Sequence, residues 1–146
     1  MKTAWLYPWL QIVLFLLFLY SLVLVFAGSI AGDLFSLLGF GPVGQADTEA
    51  VREYLRLPYM VLGAVLAGWS LTLIQIVRGP LRSRQQWAWG LMFWPLLCWF
   101  FLDTGMSLVL GFPTHALFNL PFALALIAPL LLVRRQFKGA PASNSN

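Results

Sequence analysis

Long apolar runs separated by short polar breaks dominate the chain. Residues 8–28, 59–77, 87–111 and 115–133 hold a single charged side chain among them, Asp103. A helix needs about 20 mostly apolar residues to cross the ~30 Å hydrocarbon core of a bilayer, and each run is close to that length or beyond it. The pattern predicts an all-α integral membrane protein, four spans in a compact bundle. The first run follows Lys2 and passes Val25-Phe26-Ala27, the outline of a secretory signal. Its apolar stretch exceeds the roughly 7–15 residues of a signal core, and three more runs succeed it, so it reads as a retained helix.

The breaks differ in kind. Residues 29–57 form the longest connection and contain two amphipathic pieces, so this first loop is expected to be partly helical. "SIAGDLFSLLGFGP" mixes Leu and Phe with Asp33 and is interrupted by Gly39, Gly41 and Pro42, which suits the membrane interface. "DTEAVREYLRLP" offers Asp47 or Thr48 as an N-cap and repeats Val51, Tyr54 and Leu55 at helical spacing. It predicts a helix leading into the second span, with Pro58 at its start or at a kink. In the basic turn "RGPLRSRQQ", Gly79-Pro80 is expected to halt that span. The third run carries Pro95, and "GFPT" is a tight turn before the fourth. "RRQFKGAPASNSN" then supplies a basic anchor; residues 1–138 read as one domain and 139–146 as a disordered polar tail.

Composition agrees with this reading: 60% of residues are hydrophobic and 10% charged, against about 45–50% and about 25% in soluble domains. The net charge of +4 would suggest nucleic acid in a soluble protein, but here the basic residues sit at the ends of apolar runs and nucleic acid is not expected. Lys2, Arg78, Arg82, Arg84, Arg134, Arg135 and Lys138 fall on one side of the predicted spans, and only Arg52 and Arg56 on the other. Positive charge concentrates on the cytoplasmic side, which puts both chain ends there. Trp5, Tyr7, Trp9, Trp87 and Trp89 fit an aromatic belt at the same interface. Small size, short connections and the lack of an N-x-S/T sequon suggest a bacterial inner membrane.

Little in the sequence demands chemistry. The single cysteine, Cys98, has no second thiol to pair with, no His or Cys cluster has metal-ligand spacing, and no nucleophile elbow, phosphate loop or HExxH is present. No cofactor or metal is expected. The exception to this blandness is Asp103. An aspartate at a helix centre costs ~2.5–3.5 kcal/mol on an insertion scale, while the eleven Leu, Phe and Val residues between Leu91 and Phe112 together return about 5 kcal/mol. The span tolerates the charge even without a partner. Asp103 also lies four residues beyond Trp99, near the middle of the span, hence about 6 Å outward of the midplane.

Partners are suggested by the hairpin. Asp103 and Asn119 lie equally far from a turn at Gly111-Phe112, as do Ser107 and His115, so four polar side chains are expected to converge in the outer leaflet. Arg56 enters the second span from the same side and is expected to reach inward to the carboxylate. Trp99 stands one turn from Asp103, on a stripe with Met92, Leu96 and Met106 that suits helix packing or an aromatic wall. Asp103, Ser107, His115, Asn119, Arg56 and Trp99 are therefore the candidate ligand or proton site, set against the plainer reading of hydrogen bonds between helices.

Two further patterns bear on assembly. "GSIAG" at 28–32 and "GAVLAG" at 63–68 present small residues for close helix approach. "SLVLVF" at 21–26 echoes "SLVLGF" at 107–112, and "IVRG" echoes "LVRR", as a duplicated two-span hairpin would. Three function classes stand. A non-enzymatic accessory protein, binding lipid, a membrane-protein partner or a second copy of itself, leads because most of the chain is packing surface. A small proton-coupled transporter using Asp103 is the alternative, weakened by the sparse polar residues of the inner half. A membrane enzyme using Asp103 and His115 as acid and base on a lipid-soluble substrate is third.

Overall fold

The computed structural model describes residues 4–28, 30, 33, 37 and 48–137. All elements among these residues are helical: α1 (Leu6–Phe26), α2 (Glu49–Ile76, extended by a π-helical turn at Val77–Leu81), α3 (Gln86–Val109) and α4 (Pro113–Phe137). All four are long and apolar enough to cross a membrane. The expected interfacial piece at 29–42 and the tail at 139–146 fall mostly or wholly outside the described residues, as do Lys2, Asp47 and Lys138. Of the first connection, Gly28, Ile30, Asp33 and Leu37 are helical. Asp33 meets Arg52 of α2 at 3.4 Å, an exposed ion pair that adds little stability.

Local chemistry fixes the helix ends. Thr48 caps α2, its hydroxyl accepting the Val51 N–H at 3.4 Å, and Glu49 in the first turn favours the positive end of the helix. From there α2 runs unbroken through Pro58, so the amphipathic piece and the second span are one helix. Gly79-Pro80 does not halt it. Proline lacks an N–H and its ring crowds the carbonyl four residues back; the wider π turn at Val77–Leu81 accommodates both, and the chain leaves the helix only after Leu81.

The two tight turns that follow close with the same hydrogen-bond pair. At the end of α2, Arg84 N–H bonds Leu81 O at 3.0 Å and Gln85 N–H bonds Pro80 O at 2.9 Å. At the end of α3, Gly111 N–H bonds Leu108 O at 3.2 Å and Phe112 N–H bonds Ser107 O at 2.7 Å. This Schellman arrangement requires a left-handed residue at its penultimate position. Gly111 provides it at φ 81°, whereas Arg84 is held at φ 59°. Pro113 then opens α4, where its missing N–H costs nothing.

The helices pack as two antiparallel hairpins, α1 along α2 and α3 along α4, with a smaller seam between α1 and α4 and little contact between α2 and α3. Among the described residues, the core shared by all four helices occupies the end that carries the basic residues: Leu6, Leu10 and Leu14 meet Leu73, Val77 and Leu81, with Trp89, Met92 and Leu96 and then Leu126, Leu130 and Val133. Toward the opposite end each hairpin buries mainly its own seam. Ser21 and Ser107, the serines that open the two echoing segments, are both buried there, and each hydroxyl bonds a carbonyl of its own helix.

Several expected faces are corrected by this packing. Gly63 is pressed against α1, where a Cβ would lie 2.6 Å from the Ser21 carbonyl oxygen, but Gly68 looks onto open space. The pair expected to act together is five residues apart and therefore on different faces of the helix. Trp89 does not belong to an interfacial belt: it is buried in the core, while Trp5, Trp9 and Trp87 are exposed. The Met92, Leu96 and Met106 stripe also divides, since Met92 and Leu96 are core residues and Met106 is exposed.

Tryptophans tie the helices at the basic end. Helical N–H groups bond the carbonyl four residues back, so Pro129 deprives Ala125 O of that donor. The Trp9 indole of α1 donates to this oxygen at 3.0 Å. Trp89 of α3 likewise donates to Leu130 O of α4 at 2.8 Å.

Candidate functional site

Asp103 sits on the face of α3 that meets α4, two helical turns before the Gly111 turn, and Asn119 sits opposite at the same remove. The two side chains meet. Asn119 Nδ2 donates to Asp103 Oδ2 at 3.0 Å and to Thr104 Oγ1 at 3.3 Å. A carboxylate accepts only, so the amide nitrogen must be the group facing it. Asn119 is 3% exposed, and its amide therefore acts as a clasp inside the hairpin seam.

His115, one turn earlier on α4, approaches the other carboxylate oxygen, with Nε2 3.4 Å from Oδ1. The Asp103 and His115 side chains are 35% and 30% exposed. A carboxylate beside an imidazole can share or pass a proton, and this degree of exposure leaves room for water or a cation to reach the pair. Charge on His115 would convert the contact into an ion pair.

Not every expected residue converges. Ser107 is buried, but its hydroxyl donates to the Asp103 backbone oxygen at 2.6 Å, so it serves its own helix. Trp99 is half-buried one turn from Asp103 and contributes to the α3 surface; no polar contact joins the two among the described residues. Arg56 is exposed on α2, and no hydrogen bond or ion pair among the described residues links it to Asp103. The separation follows from topology, because α2 and α3 make little contact and Arg56 belongs to the other hairpin.

Thr104, which is not among the candidate residues named from the sequence, also joins the cluster. A signal was available: it neighbours Asp103 and can meet the second amide hydrogen of Asn119. Among the described residues no buried side-chain nitrogen or oxygen lacks a partner, and no group of three His, Cys, Asp or Glu residues could hold a metal ion.

A second polar locus lies at the basic end. Arg134 places its guanidinium 4.4 Å from the Trp89 ring centroid. Trp89 is in turn stacked on Phe93, with centroids 4.5 Å apart. Beside them Gln86, Trp89, Arg134 and Phe137 line a cavity of about 230 Å³. Compared with known proteins, the chain matches no family, no curated protein and no solved structure.

Proposed function

We propose that this chain is a multi-pass protein of a bacterial inner membrane, with both ends cytoplasmic, and that it acts as a non-enzymatic accessory protein whose partners are lipid and another membrane protein or a second copy of itself. Orientation rests on the seven-to-two bias of basic residues across the helix ends. One observation carries the accessory reading: among the described residues, most polar side chains of the four long helices are engaged in joining or supporting helices. Asn119 clasps Asp103, Trp9 and Trp89 tie α1 and α3 to α4, and Ser21, Ser70 and Ser107 bond their own helices. Such bonds are the ordinary means of helix association in lipid.

A proton-coupled carrier is the second reading, favoured by the partly exposed Asp103–His115 contact. The two are separated by reconstituting wild type and Asp103→Asn in liposomes under an imposed proton gradient with an internal pH dye. Equal responses are expected. A flux present in wild type and lost in Asp103→Asn overturns the accessory reading. Topology is tested separately with single cysteines at Glu49 and Ser83 in a Cys98→Ala background. An impermeant thiol reagent applied to intact cells should label Glu49→Cys alone, and equal labelling would refute the orientation.

A further inference from the structure

The basic end concentrates positive charge that no carboxylate among the described residues pairs with. Arg78, Arg82, Arg84, Arg134 and Arg135 are all exposed there. The chain's five carboxylate side chains are Asp33, Asp47, Glu49, Glu53 and Asp103. The first four precede α2 or lie in its opening turns, and Asp103 lies toward the opposite end of α3. Among the described residues no carboxylate forms an ion pair with these arginines.

One of these arginines differs from the rest. Arg134 stacks on Trp89, which is locked by its bond to Leu130 O and its stacking on Phe93. A stacked guanidinium keeps its N–H edge free in its own plane, so the fork that binds an oxyanion is oriented in advance. The cavity opens beside it, with Gln86 contributing amide donors and buried Phe137 an apolar wall. At about 230 Å³ it is smaller than the ~300 Å³ at which drug-sized pockets begin, a size that suits a headgroup rather than a large ligand. Exposed Trp87 and Leu91 continue along α3 as a surface for acyl chains.

We infer that the cavity between the start of α3 and the end of α4 is a phosphate site that holds the phosphodiester headgroup of an anionic phospholipid against Arg134. The ligand chemistry is a phosphate oxyanion paired with a guanidinium, the geometry in which arginine bonds through two N–H groups. This deepens the membrane reading above and rests on it. Trp89 is a positioning residue, acting by holding Arg134 in place.

The test uses the full chain in nanodiscs containing equal phosphatidylglycerol and phosphatidylcholine, released for native mass spectrometry. Wild type should retain one phosphatidylglycerol in preference to phosphatidylcholine. Arg134→Ala should lower that retention about fivefold or more, as expected for loss of a basic contact to an anionic lipid. Arg134→Lys, which keeps the charge but not the fork, should fall between them, and Arg135→Ala should behave as wild type. Equal losses in Arg134→Ala and Arg135→Ala, or no preference in wild type, would overturn the site in favour of diffuse attraction. Displacement of the lipid by millimolar inorganic phosphate would assign the site to a soluble anion and overturn the lipid source. A nanodisc offers both leaflets, so a wrong orientation fails in the labelling experiment and not in this one.

Discussion

Gly63 and Gly68 lie five residues apart in one helix, and alanine should be tolerated much less well at the first than at the second. In a helix interior Ala is favoured over Gly by about 1 kcal/mol, a gain available at both positions. At Gly68 nothing lies within 4 Å of the added methyl, so the gain should appear in full. At Gly63 the methyl would stand 2.6 Å from Ser21 O, 2.8 Å from Leu24 Cβ and 2.9 Å from Val25 Cγ2. Two of these three are not flexible side-chain tips: one is backbone and one is a Cβ. Restoring the ordinary 3.4 Å contact to Ser21 O means moving the surfaces by 3.4 minus 2.6, or 0.8 Å, along the hairpin seam. Overpacking of this kind costs ~1–3 kcal/mol. The propensity gain cancels in the comparison, so Gly63→Ala should be less stable than Gly68→Ala by roughly 1–3 kcal/mol. Equilibrium unfolding of both variants in the same bicelles measures the difference directly. If Gly63→Ala stabilises the protein as much as Gly68→Ala does, α1 and α2 do not approach through Gly63 and the packing of the first hairpin is wrong.

The two Schellman turns provide a second pair: Gly111→Ala should destabilise by about 1 kcal/mol, and Arg84→Gly should stabilise by a similar amount, because only glycine escapes the left-handed penalty. Thermal unfolding of both variants checks the opposite signs. Asp103→Leu and Asn119→Leu should be coupled in a double-mutant cycle by roughly 0.5–2 kcal/mol, the range of hydrogen bonds between helices in lipid. Strict additivity would remove the clasp. Trp9→Phe should cost about 1 kcal/mol, the worth of one hydrogen bond. It should cost less in a Pro129→Ala background, where residue 129 regains an N–H for Ala125 O; equal costs in the two backgrounds would show that the indole bond does not compensate for the proline.

The four helices were legible because each is apolar over nearly its whole length, a pattern that survives in sequence whatever the helix packs against. Facing was harder to read for the same reason. A helix apolar on all sides carries no stripe that points to its neighbour. The small residues at 63 and 68 therefore looked equivalent, and only the approach of α1 distinguishes them. Arg84 gave no sign that it would adopt a left-handed conformation, since the signal for that turn is normally glycine or asparagine. The π turn was hidden too, because Gly79-Pro80 reads as a stop unless tertiary packing continues the helix past it.

Polar pairs were legible where residues lie at equal distances from a tight turn, since the antiparallel hairpin then brings them level. Asp103 and Asn119 obeyed this rule because both are long enough to reach across the seam. Ser107 did not take up its matched partner: its short side chain finds a carbonyl on its own helix first. The rule has a further success that charge and aromaticity concealed. Trp89 and Arg134 also lie equally far from the Gly111-Phe112 turn, and the structure stacks them. Belt and anchor roles at a membrane surface account for each residue alone; as a matched pair, they mark the place where the hairpin orients a guanidinium. In a chain this apolar, the departures from hydrophobicity carry most of the information about which helix faces which, and the prolines belong with them. Pro129 is the clearest case, because the carbonyl it deprives of a helical donor is the one that Trp9 of α1 reaches.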